Sequence, residues 1–176
     1  MSRFIETIYD LESGQDAIRR RSYGVIEVSE GRLSRIVFRP WPKLFSNDDV
    51  TLRGSFSTRG LVRDTCRLYF NQPLAHRNFL ALKYIVSHFG TKFATIRRAM
   101  RVLDEIARIK RSDAIVAHVA SSQISDRLMR RWGWEPHLED SARRQYIKRF
   151  YGVYPSPLPN VASCDRPAVD ANFPPG

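Results

Sequence analysis

Alternation of apolar and polar positions marks the first readable elements of the chain. Residues 22–28 (SYGVIEV) and 33–38 (LSRIVF) flank a short link containing Gly31. Two β-branched runs around such a link predict a β-hairpin. Pro40 and Pro42 stop the second run, because proline cannot donate to a ladder. Residues 49–57 (DVTLRGSFS) and 65–70 (TCRLYF) predict two further strands, and the first 20 residues carry a weak amphipathic pattern that predicts a helix ending in Arg19-Arg20-Arg21. The period then changes. Leu74, Phe79, Leu82, Ile85, Val86 and Phe89 share one face at helical spacing, with Asn71 and Pro73 before them and Gly90 after. This spacing predicts a helix over 74–89. Thr91 is placed to cap a second helix over 92–110, with Phe93, Ile96, Met100, Leu103 and Ile106 on one side and Arg97, Arg98, Arg101, Glu105 and Arg108 on the other. Residues 113–120 (DAIVAHVA) are nearly all apolar, the signature of a strand covered on both faces. Ser121 and Ser122 open a short helix that turns Ile124, Leu128, Met129 and Trp132 inward and ends at Gly133; residues 145–151 form a last strand. The order predicts a single α/β (α+β) domain, a mixed sheet flanked by helices, over residues 1–154.

The rest of the composition refines this picture. Residues 155–176 hold six of the ten prolines and three charged residues, so a flexible, disordered Pro-rich tail is expected there. The two cysteines, Cys66 and Cys164, are too few for a disulfide framework or a four-cysteine zinc site. A reduced, cytoplasmic setting is the expectation. No apolar run approaches the ~20 residues of a membrane-spanning helix, so no membrane insertion is expected, and no Walker loop or G-x-S-x-G is present. Twenty-nine Lys and Arg against 18 Asp and Glu give a net charge of +11. That balance favours an anionic partner: nucleic acid, an acidic membrane or a phosphorylated cofactor.

The segment 90–134 resembles the core of the GNAT N-acetyltransferase superfamily. It has the loop Gly90-Thr91-Lys92-Phe93-Ala94-Thr95, a long helix, the strand 114–119, a short helix opened by Ser122, and the Gly133-Trp134 ending. The resemblance implies a GNAT-like mixed sheet. It also implies acetyl-CoA or another acyl-CoA as cofactor, bound at Gly90, Thr91, Lys92, Phe93, Ala94, Thr95 and Ser122. The physical basis is general: the first turn of a helix presents unpaired N–H groups and the positive end of its dipole to a diphosphate. Acyl transfer in the family is direct, to a small-molecule or peptide amine, and uses a general base. Met129 stands where the family often has a proton-donating tyrosine. His118, in the strand beside the cofactor cleft, is the candidate base.

A second reading uses the same stretch. Helix, glycine turn and helix over residues 82–110 make a candidate helix-turn-helix, with Thr91, Lys92, Thr95, Arg97, Arg98 and Arg101 facing nucleic acid. The cluster Arg143, Arg144, Lys148 and Arg149 offers a further phosphate-contacting edge, or a charged strand edge that resists aggregation. The four histidines show no zinc-type spacing with the cysteines, so no metal is expected.

Overall fold

Alternation along the N-terminal strands decides which face of the sheet is covered. The computed structural model describes residues 5–40, 64–87, 90–119, 125–137 and 144–156. Its elements in chain order are β1 (Glu6–Ile8), α1 (Gln15–Arg20), β2 (Tyr23–Ser29), β3 (Arg32–Arg39), β4 (Thr65–Asn71), β5 (Phe79–Ser87), α2 (Phe93–Lys110), β6 (Ala114–Val119), α3 (Asp126–Arg131), β7 (Glu135–Pro136) and β8 (Arg144–Arg149). Ile26, Val28, Ile36, Phe38, Leu68 and Phe70 point inward and are almost fully buried. Glu27, Arg35 and Arg67, between them in sequence, point to the other face and pair across the strands. A strand's period of two produces this division.

The eight strands form one mixed sheet in the order β1-β3-β2-β4-β5-β6-β8-β7. Every described neighbour pair is antiparallel except β5 with β6. A parallel pair needs a long crossover, and the 18 residues of α2 supply it. α2 lies against β2, β3 and β4 and also contacts α1. Its residues Ala99, Val102, Leu103, Ile106 and Ala107 are buried to 0% exposure. The middle of the helix is covered all round, so Asp104 and Glu105 are buried as well. Each has a cation: Lys148 reaches Asp104 at 2.7 Å and Arg108 reaches Glu105 at 2.8 Å. Beyond β8 the chain returns over the same helix, where Arg101 donates to the Ser156 carbonyl and the Tyr154 hydroxyl to that of Ser112.

The mixed α/β sheet with helices agrees with the expectation, but three elements do not. The helix expected over 74–89 is the strand β5 instead. Its apolar residues satisfy both periods, and neighbours on both sides, β4 and β6, decide for the strand. The helix-turn-helix of residues 82–110 therefore loses its first helix and is not present. The N-terminal helix shrinks to six residues preceded by β1, and the short C-terminal helix starts at Asp126, capped by the Ser125 hydroxyl, which accepts the Leu128 N–H. The strand expected over 49–57, Ser122, Arg143 and the tail 157–176 with Cys164 lie outside the described residues.

Cys66 faces the core at 1% exposure, and burial pushes its thiol up to about 12. The thiolate is the reactive form. Cys66 should therefore stay unmodified by iodoacetamide at pH 8 in the folded protein and react once denaturant is added, read by peptide mass mapping. Modification of the native chain at that position would contradict the burial.

Candidate functional site

The single parallel seam of the sheet opens part-way along. β5 and β6 are paired from Phe79↔Ala114 to Leu82↔Ala117 and no further. At that point β5 carries a bulge against β4: Tyr69 pairs with Tyr84 and Phe70 with Leu82, which leaves Lys83 as the extra residue. A bulge bends its strand and sharpens its twist. β5 stays with β4 as far as Ser87, and β6 stays with β8 as far as Val119. The two strands thus part company between partners that hold each of them. Beyond Leu82 and Ala117 their facing edges leave the ladder, exposing backbone groups that need partners.

A notch occupies the opening. Leu82, Tyr84 and Ile85 line one side and Ala117, His118 and Val119 the other, with Met100 of α2 and Met129 of α3 at the back. Its volume is about 30 Å³, room for about two waters. Met129 is 1% exposed; a thioether has no proton to give. His118 is exposed and pairs in register with Gln145. Ile115, Ala117 and Val119 belong to the core under α2, so His118 points to the opposite face. Tyr84 is 41% exposed and meets Tyr69 edge-on at 6.4 Å.

The start of α2 follows β5 through Gly90, whose φ of +89° suits glycine. Three groups expected to serve a ligand are engaged in the fold. The Thr91 hydroxyl donates to the Thr65 carbonyl (2.9 Å), the Lys92 N–H donates to the Asp64 carboxylate (2.8 Å), and the buried Thr95 hydroxyl accepts the Gly31 N–H (3.0 Å). Lys92, not Thr91, is the cap position, and no side chain caps it. The N–H groups of Phe93 and Ala94 have no partner among the described residues. Asp64 supplies negative charge where the helix dipole favours it, and a ligand phosphate would share that end with it.

The first turn of α2 is clipped to the end of α3. The Phe93 ring stacks on Trp132 at 5.4 Å, with 28° between planes, and the buried Trp132 indole N–H has no partner among the described residues. Lys92, Arg97, Arg130 and Arg131 surround this contact in sequence, are exposed, and form no ion pair among the described residues. Arg98 is half-buried; burial first, then Arg101, lowers its guanidinium from the usual range.

The C-terminal basic cluster is spent differently. Arg144 pairs with Asp126, Lys148 with Asp104 and Arg149 with Glu135. These residues knit β8 to its neighbours and do not form an open phosphate edge. The Tyr146 hydroxyl also donates to Asp126; burial first, then this bond, raises the phenol, while the same bond and then Arg144 lower the carboxyl against the opposing effect of burial. Tyr146 sits opposite Ala117 in register, beside the seam. Sequence reasoning missed Tyr84, because it lay in a misassigned helix, and missed Met100, Tyr146 and the Phe93–Trp132 stack as site features. Their only signal was aromatic and apolar type, which core packing shares.

No helix among the described residues is long and apolar enough to cross a membrane, and no group of metal-ligating side chains occurs among them. No family model and no curated protein matches the sequence. Among solved structures the chain is similar to a nourseothricin acetyltransferase, at 12% identity and a TM-score of 0.40, with 82% of this chain and 98% of that chain covered.

Proposed function

We propose that the chain is an acyl-CoA-dependent N-acyltransferase-like protein, or a relative that keeps the binding cleft. The observation that carries this reading is the parallel seam opening beside the first turn of α2. An extended ligand with amide groups finds the strand edges where the β5–β6 ladder ends. Its phosphates find the Phe93 and Ala94 N–H groups and the exposed cations Lys92, Arg97, Arg130 and Arg131. Gly90 brings the backbone close. Ser122 remains an expected contact outside the described residues. A thioester bound there would supply the activated acyl group.

The chain's own part is positioning and proton handling. Leu82, Ala117 and the two methionines give the notch an apolar wall. His118, at its mouth, takes the proton from an incoming amine. Met129 leaves no donor at its own position, so departure of the leaving group falls to solvent or another residue.

Acetyl-CoA at about 100 times its dissociation constant stabilises a native protein by about 2.7 kcal/mol. For this size the unfolding midpoint should rise by about 5–10 °C. Ala117→Leu, which fills the notch, should remove the rise measured against its own unliganded midpoint. Asp64→Asn should enlarge it at subsaturating ligand by lifting a like charge from the helix start. No rise at millimolar acetyl-CoA would defeat the proposal.

A further inference from the structure

The face of the sheet opposite α2 carries a built anion clamp. Glu27 on β2 lies in register between Arg35 on β3 and Arg67 on β4. Both arginines spend their Nε on this one carboxylate: Arg35 Nε reaches Oε2 at 2.6 Å and Arg67 Nε reaches Oε1 at 3.0 Å. The carboxylate side chain is 19% exposed, while the arginine side chains are 47% and 39% exposed. One negative charge between two positive ones leaves one positive charge uncancelled among the described residues. Their terminal nitrogens have no other partner among the described residues. Glu27 therefore orients two guanidinium forks and leaves their outer donors for an external oxyanion, the planar bidentate geometry for which arginine is suited.

The clamp shares its face with the mouth of the notch. Arg67 pairs with Val86, and two residues along, Tyr69 pairs with Tyr84. From Glu27 on β2 the gap between β5 and β6 lies two and a half strand spacings across and two residues along, about 14 Å away. Tyr69 and Tyr84 lie between them, and His118 stands on the far side.

We propose that Arg35 and Arg67 bind a carboxylate carried by the acceptor amine, so that the acceptor is a short peptide, about four residues when extended, with its C-terminal carboxylate on the clamp and its N-terminal amine at the notch. The inference rests on the acyltransferase reading for the amine and on the clamp alone for the carboxylate. Charge complementarity selects this occupant: the uncancelled cation disfavours a polyamine and favours an acid.

The test uses tetrapeptides and the same peptides as C-terminal amides, with acetyl-CoA present. Binding is followed by ligand-observed NMR and transfer by release of the free thiol. The acids should bind at least tenfold more tightly than their amides, as expected for charge-assisted hydrogen bonds. Arg67→Gln should erase that gap. Arg35→Lys, which keeps the charge and loses the fork, should narrow it and guards against a folding defect in the first variant. Equal binding of acids and amides, or a gap unchanged in both variants, overturns the clamp. Acid-selective binding without thiol release keeps the clamp and removes the transferase. Thiol release with acids and amides alike does the reverse.

Discussion

Lys148→Met is expected to cost about 3–5 kcal/mol of unfolding free energy, the penalty for leaving a buried charge without its partner. Asp104 and Lys148 are 9% and 14% exposed at their side chains and lie 2.7 Å apart. Burial holds the Asp104 carboxyl above its ordinary range, and Lys148 opposes that rise. Removing the lysine lets the carboxyl rise further. A carboxyl whose folded value exceeds its unfolded one binds its proton more tightly in the native state, so native stability is gained as pH falls through the folded value. The deficit of the variant against the parent should therefore shrink as pH is lowered from 7 into the acid range. Urea unfolding at several pH values measures both effects. Asp104→Leu combined with Lys148→Met should recover most of the loss, because an apolar pair of similar volume removes both desolvation costs. A cost below about 1 kcal/mol would mean that water reaches Asp104 and that the pair behaves as a surface ion pair.

Gly24→Val is expected to cost about 3 kcal/mol by overpacking. Gly24 sits on the inner face of β2, in register with Phe38 on one side and Phe70 on the other. The two rings meet edge-on at 6.4 Å and fill the space a side chain would take. A Cβ at Gly24 would lie 2.6 Å from Phe70 Cζ and 3.2 Å from Phe38 Cδ1. Both rings are nearly fully buried, so neither has room to swing away. Phe70→Leu shortens the obstructing side chain and should relieve the clash, making the double variant less destabilised than the sum of the two single ones. Simple additivity in thermal or denaturant unfolding would show that the rings do not hold this position closed.

The hairpin, the long helix and the buried strand were legible because each sits in a simple environment. β2 and β3 have one buried face, and their residues alternate accordingly; α2 has caps, length and a 3.6 period. Residues 79–87 were misread because Leu82, Ile85 and Val86 meet helical spacing as well as they meet a strand covered by neighbours. The seam was not legible at all. It depends on Lys83 being the extra residue opposite β4, and nothing in the local sequence marks a bulge there. The loop 90–95 was found from its glycine and its place before a helix. Which of its donors remain unpaired depends on Asp64 and Gly31, distant in sequence. The Arg35–Glu27–Arg67 row needed the register of three strands.

Four residue pairs join five strands on one side of the sheet to three on the other. Each group is held within itself by antiparallel ladders, and α2 runs between them as the connecting limb. The molecule is thus built like two boards on a short hinge pin. Widening the gap for a guest larger than two waters would interrupt at most four parallel pairs, and the ladders within each board need not open.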